Sequence, residues 1–437
     1  MAWQKPGWQK RMLCAALLLC AAGAPLHVLA QSRVAGQRVP LAEVPLDVSE
    51  GLAASTTDAA SNQRYLSGLT RLGSTIFHDT RLSASGKLAC ATCHDAAHAF
   101  SAPTQRPVQS GGAHTRAPGT RAVPSLQYLQ TTPVFVEHFF EDEGAQAGQD
   151  AGPTGGLTWD GRVDNLHEQA RIPLFAANEM ATTPSRLVQR LRQAGYAQDF
   201  KTLFGDQVFD HPEQVIEKTL LALQTFQQDP ALFYPYTSKY DAVLRGQATL
   251  SAQEARGLEV FNQTDKGNCA SCHPSSKADN GGLPQFTDYG FAALGLPRNA
   301  KIPANARAGY FDKGLCGPVR TDLADHKEYC GLFKVPSLRN VAVKKVFYHN
   351  AAALDLESAV RFYAERDTQP AKWYPRNAKG RVQKFNDLPA RYRDNIETDT
   401  PFGQKRGETP AISPADVKDI VAFLKTLTDG YTPGAGP

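Results

Sequence analysis

The segments Cys90-Ala91-Thr92-Cys93-His94 and Cys269-Ala270-Ser271-Cys272-His273 stand 179 residues apart in a chain of 437. Each sets two thiols about one helical turn apart and follows them at once with an imidazole. In that arrangement two cysteines bond the vinyl groups of one haem while the histidine meets its iron. The same spacing would serve a disulfide, or a zinc site in which the histidine is incidental. Two complete copies, each led by a helical segment, favour haem attachment. His94 and His273 are then the proximal iron ligands, and Cys90, Cys93, Cys269 and Cys272 the attachment points of two haem c groups.

Working outward from the second motif, Ser251-Ala252-Gln253-Glu254 is a capping box. It opens a helix that carries Leu258 and Phe261 towards Cys269. Ser413-Pro414 opens another, through Val417, Ile420, Val421, Phe423 and Leu424 to about Leu427. A helix before the motif and a helix closing the domain is the arrangement of a small cytochrome c. Around the first motif, a polar lead to about Asn62 gives way to a helical stretch running towards Phe77. Leu82-Ser83-Ala84-Ser85-Gly86 then leads into Cys90. Leu187, Leu191, Tyr196 and Phe200 give Ser185 to Phe204 a helical period, as Val215, Leu220, Leu223 and Phe226 do for Pro212 to Gln228. Pro- and Gly-rich loops cover Ser101 to Pro124 and Gly144 to Gly156. Strand signals are sparse. The expectation is a mainly α fold of two cytochrome c-like haem domains with long loops, 31–250 and 251–437, divided between Asp229 and Leu250.

Residues 1–30 read as a secretory signal. Lys5, Lys10 and Arg11 precede an apolar run from Met12 to Leu19 that is too short to span a bilayer, and Ala30 is a small residue before a cut. Leu19 speaks against lipidation of Cys20. This segment takes three of the 47 basic residues and none of the 43 acidic ones, leaving 44 against 43. No basic block suggests nucleic acid, and no long apolar run suggests a membrane span. A soluble protein of the periplasm is expected. Such a compartment permits a disulfide between Cys316 and Cys330, which lie outside both motifs. Past residue 30 the chain has a single methionine, Met180, which counts against a methionine ligand on the second haem.

Further motifs accompany the cysteines: Leu82-Ser83, Trp159-Asp160-Gly161-Arg162, Glu168-Gln169-Ala170, Glu179-Met180, Phe333-Lys334-Val335-Pro336-Ser337-Leu338-Arg339-Asn340 and His349. On these the chain resembles the bacterial diheme cytochrome c peroxidases and MauG-type enzymes over most of its length. The resemblance implies a peroxide-reactive haem in the N-terminal half and an electron-relay haem in the C-terminal half. Trp159 matches the tryptophan between the two haems, against the bland reading of a packed aromatic. Gln169 and Glu179 match the family's distal pair, with Pro173 between them. Splitting peroxide needs a base that takes a proton from one oxygen and returns it to the other, and a carboxylate with raised proton affinity can do this. Glu179 is expected in that role and Gln169 as the group that positions peroxide; the alternative is a solvated carboxylate at a helix end.

Tyr363 falls where the peroxidases have a methionine ligand and the MauG-type enzymes a tyrosine, fourteen residues after His349. Leu356, Val360 and Tyr363 share one face of a helix opened by Asp355. The resemblance makes Tyr363 a ligand of the second iron; a core tyrosine bonded to a backbone carbonyl is the alternative. His98 and His114 are out of register with the histidine that closes the first haem in some peroxidases, so that site is expected to be open. The family's inter-domain calcium would meet Ala122, Lys344 and Val346 here, where a lysine can supply positive charge without a metal. Phe362 to Arg366 and Leu427 to Tyr431 also look like the MbnH subgroup, associated with oxidation of a tryptophan in a copper-binding partner. The expected function is oxidation of a partner protein at the expense of hydrogen peroxide. The rivals are a peroxidase fed by a small cytochrome c or cupredoxin, and a non-catalytic diheme electron carrier.

Overall fold

The computed structural model describes residues 56–140, 148, 150–193 and 195–434. The signal segment expected at 1–30 lies outside the described residues. Eleven helices account for most of the regular structure: α1 Thr56–His78, α2 Cys90–Cys93, α3 Leu166–Phe175, α4 Pro184–Gln193, α5 Ala197–Phe204, α6 Pro212–Phe226, α7 Pro230–Phe233, α8 Lys239–Leu244, α9 Ala252–Asn262, α10 Leu356–Glu365 and α11 Pro414–Lys425. Strands among the described residues are confined to two antiparallel pairs of two residues each, β1 Ser110–Gly111 with β2 Ala117–Pro118, and β3 Phe291–Ala292 with β4 Phe333–Lys334. The mainly α expectation is met. No helix among the described residues is long and apolar enough to cross a membrane.

Two hydrophobic cores are built on the same device. In the first, Leu69, Leu72, Ile76 and Phe77 of α1 pack with Val215, Leu220, Leu223 and Phe226 of α6. The helices approach so closely that a methyl on Gly73 would collide with the Ala222 carbonyl and Phe226 Cβ. In the second, Val260 and Phe261 of α9 pack with Val417, Ile420, Phe423 and Leu424 of α11. There Gly257 meets the Asp419 carbonyl and Phe423 Cβ in the same way. Only a residue without a side chain allows either crossing, and each crossing holds a helix pair beside one Cys-x-x-Cys-His motif.

Local signals set the helix ends. Ser251 accepts from Glu254 N and Ser413 from Asp416 N, each within a complete capping box. One boundary differs from the sequence reading. The stretch from Ser185 to Phe204 is not one helix but α4 and α5, separated at Gly195, whose φ of 87° lies in the left-handed region. The segment from Asp229 to Leu250 contains α7 and α8, with Asp229 and Ser238 as N-caps.

Residues distant in sequence are tied across the molecule by polar groups. Arg339 donates from Nη1 and Nη2 to the Asp241 carboxylate at 2.9 Å each, with both side chains 1% exposed. Its guanidinium lies 4.6 Å from the ring centres of both Tyr128 and Tyr236. Asp429, just past α11, accepts from Tyr128 Oη at 2.8 Å, Thr237 N at 2.9 Å and Asn340 Nδ2 at 2.6 Å. Cys316 and Cys330 form the expected disulfide, beside Leu315, Leu323 and Tyr329.

Candidate active site

The two cysteine motifs are folded alike. His94 N donates to Cys90 O at 2.9 Å and His273 N to Cys269 O at 2.8 Å, so each imidazole leaves a helical turn whose thiols are its neighbours. None of the four cysteines is in a disulfide, and all are half-buried. His94 Nδ1 donates to Phe100 O and His273 Nδ1 to Phe286 O, both at 2.7 Å. Both phenylalanines have left-handed backbones, φ 49° and 54°. With Nδ1–H engaged by a carbonyl, the lone pair sits on Nε2, the tautomer an iron ligand needs. Burial lowers both imidazoles to about 4, so they are neutral at pH 7. Among the described residues no group of three or more His, Cys, Asp or Glu is placed to hold a metal ion, so neither motif has the further ligands of a zinc site. Two thiols and one oriented imidazole at each site fit a haem.

Glu179 lies beyond the C-terminus of α3, in a turn closed by Glu179 N on Ala176 O at 3.0 Å and Met180 N on Pro173 O at 3.0 Å. Gly112 N donates to Glu179 O at 2.7 Å, and a methyl on Gly111 would collide with that same carbonyl. The β1 hairpin therefore backs directly onto the Glu179 backbone. The residue is exposed, yet nearby protein partly desolvates its carboxyl and raises the pKa against the opposing charge of Arg162. Burial raises the Cys90 and Cys93 thiols, to about 12 and 11, and the charge of Glu179 adds to both shifts. The carboxylate is thus close enough to the first cysteine motif for its charge to be felt there. Gln169, on α3, is half-buried and its side chain makes no hydrogen bond among the described residues. His98 Nδ1 pairs with Asp95 Oδ2 at 2.5 Å, and His114 is exposed.

Arg162 is fixed by Asp160, which is fully buried and accepts from Arg162 Nη1 at 2.7 Å, Arg121 Nη1 at 2.6 Å and Thr158 Oγ1 at 2.6 Å. Arg121 in turn holds Asp312 through Nε at 2.7 Å and Nη2 at 2.8 Å. The sequence singled out Asp160 and Arg162 only as part of a motif. The partners Arg121 and Asp312 come from far along the chain, and no local signal marks them.

Trp159, 9% exposed, connects the two halves. Its Nε1 donates to Ala122 O at 2.8 Å, and its ring meets His349 edge-on at 6.4 Å. His349 stacks on Phe333 at 3.4 Å, and Ala122 N donates to His349 O at 2.7 Å. Lys334 N, in the neighbouring strand, donates to Trp159 O at 3.0 Å. Lys344 is enclosed, and burial pushes its amine down to about 8.

Tyr363 sits on α10, whose N-cap Asp355 accepts from Ser358 N. Its ring stacks on Phe402 at 5.3 Å. Three neighbouring tyrosines bond backbone carbonyls: Tyr348 to Ala359, Tyr374 to Gly295 and Tyr240 to Ser275. The Tyr363 hydroxyl makes no hydrogen bond among the described residues. Burial raises its pKa, and the charges of Cys272 and then Cys269 add to the shift, so the phenol lies within electrostatic reach of the second cysteine motif.

Comparison with known proteins agrees with this geometry. Residues 67–249 match the family model described as di-haem cytochrome c peroxidase. The chain is 33% identical over 379 residues to the methylamine utilization protein MauG of Paracoccus denitrificans, covering 83% of this chain and 88% of the relative. It is 27% identical over 363 residues to the cytochrome c551 peroxidase of Nitrosomonas europaea, covering 82% and 80%. The diheme peroxidase BthA from Burkholderia thailandensis superposes with a TM-score of 0.73 at 37% identity, over 83% of this chain and 86% of that one. A MauG-like protein associated with microbial copper homeostasis superposes with a TM-score of 0.58 at 25% identity, over 83% and 89%. The chain belongs to the di-haem cytochrome c peroxidase and MauG family, haem-dependent oxidoreductases that act on peroxide.

Proposed function

We propose that this is a periplasmic enzyme of the MauG type, with two covalently attached haem c groups, that uses hydrogen peroxide to oxidise residues of a partner protein. The haems, when bound through Cys90/Cys93 and Cys269/Cys272, supply the iron at which peroxide is reduced and in which oxidising equivalents are stored. Glu179 takes a proton from one peroxide oxygen and returns it to the other, and Gln169 orients the substrate. Arg162, locked by Asp160, limits how far the Glu179 carboxyl rises. Trp159 provides an indole between the domains, which divide near residue 250. Ala122 offers no side-chain oxygen and Lys344 brings its own positive charge, so we assign no calcium.

The observation that supports this reading is the Tyr363 phenol, half-buried against the core that holds Cys269 and without a hydrogen bond among the described residues. Three neighbouring tyrosines spend their hydroxyls on backbone carbonyls, whereas this one is left open to another partner. An iron ligated through Nε2 of His273 would receive it as a phenolate. Phenolate ligation favours the oxidised metal, which suits storing oxidising equivalents more than drawing electrons at high potential. The cytochrome c551 peroxidase matches favour the second reading, peroxide reduction fed by a small redox protein.

The test is the absorption spectrum of the ferric protein before and after one equivalent of peroxide. A high-spin band abolished by peroxide is expected. Tyr363→His should alter only the bands of the other haem. Two low-spin haems indifferent to peroxide would refute the enzyme reading. Rapid steady oxidation of reduced cytochrome c would favour the second.

A further inference from the structure

Past residue 30 the chain has two tryptophans, Trp159 and Trp373. Trp159 is accounted for by its place between the halves. Trp373 follows α10 and packs edge-on against Phe362 with ring centres 5.2 Å apart. Phe362 is the neighbour of Tyr363, at 6.3 Å between rings, and also meets Tyr348 at 5.6 Å. A short aromatic path therefore runs from the phenol within electrostatic reach of the second cysteine motif to Trp373. The Trp373 Nε1–H is buried without a hydrogen-bond partner. An indole left so is expensive unless its position serves something other than packing.

The path ends under a basic hairpin. Arg376 and Val382 bridge antiparallel, and Asn377 N donates to Arg381 O at 2.9 Å. Between Thr368 and Asn386 the sequence has Lys372, Arg376, Lys379, Arg381 and Lys384 and no acidic residue. Lys372 pairs with Glu365 and Lys384 with Asp367. Arg376, Lys379 and Arg381 are exposed and have no acidic partner among the described residues. Three unpaired cations on one projecting turn create a local positive field.

We propose that this hairpin is the docking face for an acidic partner protein and that Trp373 is the last relay of oxidising equivalents to it. The proposal rests on the partner-oxidation reading above. Each relayed equivalent is one electron moving inward, from a partner side chain to oxidised Trp373 and on towards Tyr363. Reduction of one peroxide to two waters takes two electrons and two protons. A partner tryptophan supplies both when water adds to its indole, so that tryptophan and peroxide yield hydroxytryptophan and one water.

Two synthetic peptides, each with one tryptophan, one flanked by glutamates and one by lysines, test this on the holoenzyme. Binding is followed by fluorescence anisotropy without peroxide, and oxidation by the mass gained with it. The glutamate peptide should bind more tightly, the more so at low salt. The triple variant Arg376→Glu, Lys379→Glu, Arg381→Glu should weaken that binding roughly tenfold or more. Trp373→Phe, which keeps the ring packing on Phe362, should leave binding intact and lower oxidation roughly tenfold, with the absorbance response to peroxide unchanged. Preference for the lysine peptide, or glutamate-peptide oxidation equal in wild type and both variants, overturns the proposal while leaving partner oxidation standing. A wild-type protein that responds to peroxide but oxidises neither peptide overturns the parent reading and this one with it.

Discussion

Glu179→Gln should leave both haems in place and slow the reaction with peroxide by about 10²- to 10⁴-fold, the usual range for a lost general base. The amide keeps the shape of the side chain and its place against the β1 hairpin, so the change isolates proton transfer. The pH dependence has a definite sign. Burial holds the Glu179 carboxyl above the ordinary glutamate value, with Arg162 opposing. A base must be ionised to act, so the rate falls as pH drops through that raised pKa, at a higher pH than a free glutamate would give. In the glutamine variant this limb of the profile disappears. Stopped-flow absorbance over pH 4 to 8 reads both effects. A variant that reacts within twofold of wild type would remove Glu179 from the mechanism.

Arg339→Met should destabilise the protein by about 3–5 kcal/mol at pH 7, the cost of leaving one member of a buried ion pair alone. Burial by itself would raise the Asp241 carboxyl, but the hydrogen bonds and charge of Arg339, with help from Ser238, outweigh it and hold the pKa below the ordinary value. Stability from such a group is present above the pKa of the unfolded chain and is lost as pH falls through the lower, folded value. The variant keeps the burial and loses the counter-charge, so its Asp241 protonates more readily. The gap between wild type and variant should therefore narrow as pH falls towards 4. Urea unfolding at pH 7 and pH 4.5 measures this. Asp241→Leu added to Arg339→Met should recover much of the loss, because a charge is no longer stranded.

The cysteine motifs, the capping boxes at Ser251 and Ser413, and the helical phase of Tyr363 could all be read along the chain because each is a short-range pattern. What stayed hidden is long-range. The carbonyls that orient His94 and His273 come six and thirteen residues later, from phenylalanines whose left-handed backbones no residue preference announces. Arg121 reaches Asp160 and Asp312 across 39 and 191 residues. The break between α4 and α5 coincides with a five-residue step from Leu191 to Tyr196, which throws the apolar positions out of helical phase beside Gly195. The resemblance located Glu179, but only the fold shows that a glycine hairpin presses on its backbone.

The Asp429 carboxylate gathers Tyr128 from the first half, Thr237 from the stretch between α7 and α8, and Asn340 from the second half. The knot closes a separation of 301 residues between Tyr128 and Asp429 with a single carboxylate. Losing that carboxylate would free three distant segments at once. Asp429→Ala should thus make the backbone around Tyr128 and Thr237 more readily cut by a protease than in the wild type.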